Sequence, residues 1–475
     1  MSPESPKEPP RPGRLIVPGD EPEEPTPSGG SRLVLPSEAE DEAQESRGQP
    51  SRIVLPPGVA RETPEDLPEY PKVRPLVIVP VREGGRELLL VTDPLGVMRS
   101  QPVLGMEALP LLQLMDGTVS VQDLSTALMR ESKDLRIANM VKDFVAQLDQ
   151  LLMLDSPRFA EAYRELRHEY HELEIRPAAL AGRAYPEDPA ELRKFLDERF
   201  AAADQQRTEA GVPAPASNAR PRAVLAPHLD PRRSGATIAR AIEEVGLDGG
   251  PLRIVVLGTG HQLFEDPFAL TRKHFETPLG KIPTDTAFVD AVASRLGESA
   301  YRSELAHRDE HSIEFVALFL KHRFGDRPLT LVPILCGGFH ALIDEGKTPR
   351  EDPEFEQLIA AVREAERASA GTTMYLAGVD FSHVGPRFGD PKVDERVHPE
   401  LEKVDRVAID AAGRGDADGW YAAIAGHADS TRICGLAPVY ALLRCAEPGA
   451  GRLLHYEQSH EADTSLVSVA AMVWP

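Results

Sequence analysis

The chain is poor in cysteine and in long apolar runs. Its 475 residues contain three cysteines, at positions 336, 434 and 445, with no CxxC spacing. An odd number of thiols without a Cys-rich tract argues against a disulfide-stapled secreted domain and indicates a reducing compartment. No run of about 18 apolar residues is present, and MSPESPKEPP has no apolar signal core. We therefore expect a cytoplasmic protein that makes no contact with a membrane.

Positive charge is also scarce. The 53 Lys and Arg residues are outnumbered by 76 Asp and Glu residues, which gives a formal net charge of −23. Nucleic-acid binding needs clustered cations that neutralise phosphates, so we expect no nucleic-acid partner. Hydrophobic residues make up 41% of a chain longer than one core usually supports, which predicts two or more folded units.

Residues 1–75 differ from the rest in composition. They hold 17 of the 44 prolines and are rich in Glu, Ser and Gly. Such a segment buries too little apolar surface to fold, so we predict a disordered tail. A short pattern recurs in it, as RLIVP at 14–18, RLVLP at 32–36 and RIVLP at 52–56. Each copy is either a strand that docks on the edge of another sheet or a product of repeat expansion, and the sequence leaves both interpretations open.

Residues 76–172 predict a small α+β unit. LVIVPVR and ELLLVTD flank EGG, which is typical of a β-hairpin. Three helical patterns follow, and we expect Ser120 to cap the second. A hairpin beside three helices is the plan of a winged-helix-like domain, and LLQLMDGTVSVQDL resembles the PqqD-like peptide-recognition domains that accompany radical-SAM enzymes. DNA binding is the rival function, but the segment has no run of basic residues on its second or third helix.

The pattern changes after a charged linking helix expected at 159–174. From 176 to 475, strand-like runs alternate with amphipathic helices; the runs are RAVLAP, RIVVLG, LTLVPIL and TMYLAGV. This alternation implies crossover connections and a largely parallel sheet that helices cover on both faces. The final runs, LLHYEQS and SLVSVAAMVW, are expected to add antiparallel strands at one edge. We therefore predict an α/β fold for this domain.

Histidines follow three of these strands. His228 comes after RAVLAP, His261 after RIVVLGTG, and His383 in the phrase GVDFSHVG after TMYLAG. In open α/β sheets, ligands bind outside the carboxyl ends of the strands, so we expect the three imidazoles to form one site. His383 could ligate a metal or transfer protons. Asp380 could orient an imidazole by a hydrogen bond.

Cys434 is a fourth candidate, because it directly precedes a helical pattern that begins near Gly435. A helix N-terminus lowers the pKa of a thiol and favours the thiolate, which is the form that binds metals. Cys336 and Cys445 fall within apolar runs and are expected to be buried structural residues. Two imidazoles and one thiolate that leave open positions suit a single iron, copper or zinc ion.

Two further histidine pairs have helical spacing. His168 and His171 lie three apart among charged residues, which favours a solvated surface. His307 and His311 lie four apart, just before the apolar helix that runs through FVALFL. We expect His307 at the surface, and His311 with Glu310 lining a pocket near the strand ends.

Seven phrases resemble the Memo family, whose bacterial members are often named AmmeMemoRadiSam system protein B. In chain order they are RPAALAGRAYP (176–186), PHLDPRRSG (227–235), LGTGH (257–261), TPLGKIPTD (277–285), EHSIE (310–314), VDFSHVG (379–385) and ICGLAP (433–438). The resemblance covers roughly 176–475 and implies a fold similar to class III extradiol dioxygenases. It implies a metal bound by His228, His261 and Cys434, with Asp380 and His383 lining the same pocket.

The chain departs from the family pattern just after His228. Relatives usually have a glycine and tyrosines there, whereas this sequence has Leu229, Asp230, Pro231, Arg232 and Arg233. We interpret Asp230 as a candidate pocket-lining residue. The two arginines either favour an anionic ligand or face solvent, and the sequence supports both interpretations equally.

These features predict a metal protein with a single bound ion. The function expected first is non-haem iron-dependent redox chemistry on a small or peptidyl substrate, in a dioxygenase-like fold. Iron is the favoured metal, and copper or zinc are the alternatives. The expected partners are a radical-SAM protein or a peptide. The rival function is a non-catalytic, metal-dependent peptide-binding or scaffold protein, in which residues 76–172 recruit the partner.

Overall fold

The computed structural model describes residues 67–475 except 84, 134–135, 249 and 264–265. In this part of the chain there are two compact units, 67–172 and Leu173–Pro475. The three RLIVP-like repeats of the predicted tail lie outside the described residues. None of the helices that the structure describes is both long and apolar enough to span a bilayer.

The first unit joins a three-stranded antiparallel sheet to four helices. Its elements are β1 (Val77–Glu83), β2 (Arg86–Thr92), β3 (Val103–Gly105), α1 (Leu109–Leu114), α2 (Val121–Ser132), α3 (Ile137–Gln150) and α4 (Pro157–His171). The pairing of β1 with β2 confirms the expected hairpin. Strand β3, which pairs with β2, was not predicted, because three residues are too few to show alternation.

Helix caps in this unit follow the expected chemistry. The hydroxyl of Ser120 accepts a hydrogen bond from the backbone N–H of Asp123 at 3.0 Å, which confirms the predicted cap of α2. Helix α4 begins slightly earlier than expected, because Ser156 caps it and Pro157 occupies its first turn. His168 and His171 are exposed on α4, as expected. The winged-helix and peptide-recognition interpretations of the unit stay predictions.

The second unit is a larger α/β structure. Its elements before the last crossover are β4 (Ile175–Arg176), α5 (Pro189–Glu209), β5 (Ala223–Ala226), α6 (Pro231–Ile242), β6 (Leu252–Thr259), β7 (Phe268–Leu270), β8 (His274–Phe275), α7 (Thr286–Leu296), α8 (His311–Phe324), β9 (Leu329–Cys336), α9 (His340–Asp344), α10 (Pro353–Ala368) and β10 (Thr372–Gly378). The remaining elements are β11 (His383–Val384), α11 (Val397–Gly413), α12 (Ala417–Ala425), α13 (Leu436–Ala446), β12 (Arg452–His460) and β13 (Leu466–Trp474).

The main sheet has the strand order β11-β13-β5-β10-β6-β9-β7, and β12 pairs with β13. Strands β5, β10, β6 and β9 are parallel neighbours. Strand β13 joins β5 in the antiparallel sense, and β12 and β11 join β13 in the same sense. The expected parallel centre with an antiparallel edge is therefore confirmed. Strand β7, antiparallel to β9 at the other edge, was not predicted.

Helices cover both faces of this sheet. In β10, Tyr375 and Ala377 pack into a core with α7, α10, α11, α12 and α13. Met374 and Leu376 of the same strand pack into a second core with α5, α6 and α8. Successive side chains of a strand point to opposite faces, so continuous apolar runs fit strands that are buried on both sides.

Candidate metal centre

Three neighbouring parallel strands bring polar side chains to one edge of the sheet. Strands β5 and β6 flank β10, and His228, His261 and Asp380 each lie two residues beyond the end of one of these strands. His383 follows three residues after Asp380. Because the carboxyl ends of parallel strands meet at the same edge, these side chains converge. The ring centroids of His228 and His261 are 5.1 Å apart.

The ring of His228 is completely buried and held in one orientation. Its Nδ1 lies 2.8 Å from the carbonyl oxygen of Gly378. A carbonyl can only accept, so Nδ1–H donates and Nε2 keeps its lone pair. Burial lowers the pKa of His228, although Asp380 opposes the shift. The imidazole is therefore neutral, with Nε2 directed toward the thiol of Cys434 at 3.4 Å.

One carboxylate orients the next two imidazoles. Glu310 precedes α8, and its Oε1 lies 2.9 Å from Nδ1 of His261 and 3.2 Å from Nδ1 of His311. The two rings stack with centroids 4.6 Å apart. Glu310 also accepts hydrogen bonds from the backbone N–H groups of His261 at 2.9 Å and Ser312 at 3.0 Å. The geometry leaves the Nε2 atoms of both imidazoles available to a ligand.

The charges of this trio depend on one another. Burial opposes ionisation of Glu310, but His261 and His311 hold the pKa of its carboxyl well below its usual range. Burial, reinforced by His261, holds the pKa of His311 well below its usual range. Burial would also lower the pKa of His261, but Glu310 outweighs burial and raises it. Glu310 is thus an anion that accepts from Nδ1–H of His261.

Cys434 lies in the loop before α13, with Gly435 at the cap position. Its Sγ accepts from the backbone N–H of Asp380 and lies 3.4 Å from that nitrogen. The expectation of a lowered thiol pKa is wrong. Burial first, and the carboxylate of Asp380 second, raise the pKa of Cys434 well above its usual range. A cation bound beside the sulfur would reverse this balance, because it stabilises the thiolate directly.

The two oxygens of Asp380 have different surroundings. Its Oδ1 accepts hydrogen bonds from the backbone N–H groups of His228, at 2.9 Å, and Leu229, at 3.1 Å. Its Oδ2 has no hydrogen-bond partner in the described part of the chain, although the residue is fully buried. Oδ2 lies 3.6 Å from Nε2 of His228. Asp380 therefore fixes the backbone of the first strand-end loop and directs a second oxygen into the site.

His383 is the first residue of β11, the short strand that pairs with β13. Its Nδ1 lies 2.8 Å from the carbonyl oxygen of Phe381 and 3.0 Å from that of Arg432. The proton therefore sits on Nδ1, and Nε2 carries the lone pair. Burial lowers the pKa of His383 to about 4, against the opposing effect of Asp380. This imidazole is neutral at physiological pH and can accept a proton at Nε2.

Three overlapping groups of described residues place candidate ligand atoms within 4.8 Å of one another. They are His228 with His261 and Cys434, His261 with Glu310 and His311, and Asp380 with His383 and Cys434. Imidazole and thiolate donors suit iron, copper and zinc, whereas calcium and magnesium take oxygen ligands. The donor set and the unpartnered Oδ2 of Asp380 together fit a transition-metal ion.

A buried ion pair that sequence reasoning missed holds the start of α8. Glu314 pairs with Arg176 at 2.6 Å, and both side chains are almost completely buried. The hydroxyl of Tyr185 donates to Glu314 at 2.5 Å, and Arg176 donates to the carbonyl oxygen of Glu310 at 2.7 Å. A charged residue amid the apolar run of α8 was the available signal, since buried carboxylates need partners.

His307 is a correction to the sequence analysis. It was expected at the surface, but it is 1% exposed, and its Nε2 lies 3.0 Å from the carbonyl oxygen of Ala269. Burial lowers its pKa to about 4. The polar phrase AHRDEH resembles a solvated turn locally, whereas the neighbouring segments of the unit cover this position.

Cys336 and Cys445 are buried, as expected. Both lie in the core that the main sheet forms with α7, α10, α11, α12 and α13.

Asp230 has a local structural role. It is the cap residue of α6, and its Oδ1 accepts from the backbone N–H of Arg232 at 2.7 Å. Its Oδ2 pairs with the guanidinium of Arg232, which is about half exposed. Arg233 pairs instead with Glu461 at 2.5 Å and donates to Ser459. Both arginines therefore have carboxylate partners, and Asp230 is absent from the three ligand groups.

Comparison with known proteins identifies the family of this chain. A family model described as Memo-like protein matches residues 176–473, which is more than half of the chain. The chain belongs to the Memo family. The matched segment contains every residue of the candidate metal centre. The similarity to extradiol dioxygenases stays a prediction.

Curated relatives of this Memo family chain come from bacteria and archaea. A MEMO1 family protein of Aquifex aeolicus is 30% identical over 412 residues, which cover 85% of this chain and 99% of that protein. One from Thermus thermophilus is 29% identical, over 63% of this chain and 82% of its own length. One from Methanopyrus kandleri is 30% identical, over 63% and 98%. The Aquifex match is longer than the segment 176–473, so that similarity extends beyond it.

Proposed function

We propose that the protein binds one transition-metal ion through His228, His261 and Cys434 and uses it for redox chemistry on a small or peptidyl substrate. One observation carries this proposal. The unprotonated Nε2 of His228 lies 3.4 Å from Sγ of Cys434, and a ring nitrogen of His261 lies in the same group of candidate ligand atoms. Iron is favoured, with copper next and zinc as a third alternative. When bound, iron or copper would supply Lewis acidity and a change of oxidation state.

Protein groups around the ion have separable tasks in this proposal. His383 accepts a proton from the substrate at Nε2 and returns it, while the carbonyl oxygens of Phe381 and Arg432 hold its Nδ1–H. Glu310 holds the tautomer of His261 through Nδ1. Asp380 positions the backbone of His228 through Oδ1. Burial of these groups excludes water from the reacting atoms.

A second candidate function is metal-dependent peptide binding or scaffolding with a radical-SAM partner. One observation favours it. The unit 67–172 has a hydrophobic core of its own, which includes Leu89, Val91, Val145 and Met153. In this candidate the ion stabilises the second unit while the first recruits a peptide.

Metal content tests the ligand assignment. We expect anaerobically purified protein to contain about one transition-metal ion per chain, and the Cys434→Ser variant to lose most of it, because a hydroxyl is a much weaker ligand than a thiolate. Elemental analysis measures both. Cys336→Ala is the matched control, since that thiol lies buried in the first core, and it should keep the metal. Equal metal content in Cys434→Ser would show that the assignment is wrong.

Oxygen uptake separates the two candidate functions. With iron restored under nitrogen, the first candidate predicts dioxygen consumption on addition of a member of a catechol or peptide panel. A chain that binds peptide without consuming dioxygen would favour the scaffold. Glu310→Gln would then report whether peptide retention depends on the metal centre.

A further inference from the structure

We propose that Oδ2 of Asp380 is a fourth protein ligand of the bound cation, alongside His228, His261 and Cys434. The inference rests on the proposed metal site and extends it. It gives Asp380 two simultaneous tasks, one for each oxygen. The cation is then held by two imidazoles, one thiolate and one carboxylate.

The first support is the unpartnered state of Oδ2. Asp380 is fully buried, and its Oδ1 already accepts two backbone hydrogen bonds. Its Oδ2 accepts none from the described residues. A buried carboxylate oxygen without a donor costs free energy unless a cation or hydrogen bond compensates it. A ligand bond would supply that compensation.

The second support is the lack of a permanent cation beside this carboxylate. Within the described residues, the ion pair recorded for Asp380 is with His228. That imidazole donates its Nδ1–H to Gly378, so its Nε2 is unprotonated and has no proton to donate to Oδ2. Two electron-rich atoms 3.6 Å apart repel each other unless a positive charge lies between them. A divalent ion in that position converts both contacts into attractive ones.

The third support is the spacing of the donor atoms. Nε2 of His228 lies 3.4 Å from Sγ of Cys434 and 3.6 Å from Oδ2 of Asp380. A tetrahedral ion with bonds of about 2.0 Å to nitrogen or oxygen and about 2.3 Å to sulfur separates its ligand atoms by roughly 3.3–3.5 Å. The separation of Nε2 from Sγ agrees with one edge of such a polyhedron, and the separation of Nε2 from Oδ2 is slightly longer than an edge, so the carboxylate would move toward the ion on binding. The separation of Nε2 from Oδ2 exceeds a hydrogen-bond length between nitrogen and oxygen.

The charge of the four donors also suits a divalent ion. Two neutral imidazoles, one thiolate and one carboxylate carry a total charge of −2 and neutralise a divalent cation in a buried place. A four-donor set is complete for a tetrahedral ion, whereas an ion that takes five or six ligands retains open positions for substrate.

The variant Asp380→Asn isolates the role of Oδ2. Its amide oxygen can still accept the hydrogen bonds from the backbone of His228 and Leu229, while an NH₂ group replaces Oδ2. With Co²⁺ as the probe on the full chain, we expect affinity to fall by about 100-fold or more, beyond the roughly 10–100-fold typical for residues behind the ligands. The visible Co²⁺ absorption spectrum should also change, because one donor is replaced.

Glu310→Gln is the control for the loss of negative charge. Glu310 is also a buried carboxylate near the site, but it contacts Nδ1 of His261 and not Nε2, the atom that would bind the ion. The Glu310→Gln variant should weaken Co²⁺ binding while leaving the absorption spectrum of the complex unchanged. A change of spectrum in Asp380→Asn together with an unchanged spectrum in Glu310→Gln supports direct ligation.

Distinct results separate failure of this inference from failure of the proposed site. If the unmutated chain binds no Co²⁺, the proposed site is wrong. If it binds Co²⁺ and Asp380→Asn binds with the same affinity and spectrum, only the fourth ligand is wrong. Should the variant fail to fold, a crystal structure of the Co²⁺-loaded parent decides the question. A distance from Co²⁺ to Oδ2 of about 2.0–2.2 Å supports ligation, and one above about 3 Å overturns it.

Discussion

At the scale of the residue, the candidate centre depends on how each imidazole is held. Gly378, Glu310 and the carbonyl of Phe381 fix the Nδ1 atoms of His228, His261 and His383 respectively. In each case the acceptor holds the proton on Nδ1, so Nε2 keeps a lone pair that can bind a metal. Orientation by a second group is a recurrent property of metal-binding histidines.

A residue-scale prediction concerns the buried pair of Arg176 and Glu314. In Glu314→Gln the charge of Arg176 loses its partner in a dry environment, so we expect the free energy of unfolding to fall by about 3–5 kcal/mol. Urea unfolding of the metal-free chain measures it. The control Glu400→Gln removes one partner of an exposed pair with Lys403 and should change stability by less than about 0.5 kcal/mol. Equal losses of stability in the two variants would mean that the buried pair stabilises the fold no more than the exposed pair does.

At the scale of the element, the start of α8 must approach two strand ends closely. A Cβ on Gly258 would lie 2.5 Å from the hydroxyl of Ser312, and one on Gly378 would collide with the backbone oxygen of Ser312. Glycine at the ends of β6 and β10 therefore lets α8 bring Glu310 and His311 to the metal centre. Glutamate is not a favoured helix cap, so its use there is a local departure that the site explains.

The variant Gly378→Ala tests this packing. The added methyl group must displace α8 or β10, so we expect a loss of about 1–3 kcal/mol in stability and weaker Co²⁺ binding, since the carbonyl of Gly378 also holds His228. Thermal unfolding and metal titration measure the two effects. Gly449→Ala is the matched control, because a Cβ there meets no atom within 4 Å. If both variants behave alike, close approach of α8 is not required.

At the scale of the whole molecule, the described chain has two units with separate hydrophobic cores. The core of the first includes Leu89 and Val145, and the cores of the second cover both faces of the main sheet. Every candidate ligand belongs to the second unit. Stabilisation by the ion should therefore reach that unit alone.

Calorimetry of the full chain checks this expectation. A ligand that binds only the folded state stabilises it by about 2.7 kcal/mol at 100 times its dissociation constant. We expect added Co²⁺ to raise the temperature of one unfolding transition and leave another in place, and a chelator to reverse the shift. A single transition that moves as a whole would show that the two units unfold together.

Much of the fold followed from local patterns. Continuous apolar runs predicted β5, β6, β9 and β10, and alternation with amphipathic helices predicted their parallel arrangement. The three-residue strands β3 and β7 were missed because so short a segment has no measurable period. The prediction that His307 lies at the surface was wrong for a related reason. The residues next to it in the sequence do not show which distant segment covers its side chain.

The sequence by itself determined that a parallel sheet forms and that His228, His261 and His383 follow its strands, because periodicity and strand ends are local properties. Only the tertiary structure decided which ring nitrogen is free, that burial raises the pKa of Cys434, and that the two oxygens of Asp380 differ. The physical reason is distance along the chain. Cys434 meets His228 across 206 positions, and burial and hydrogen-bond partners at such separations exist only once the chain has folded.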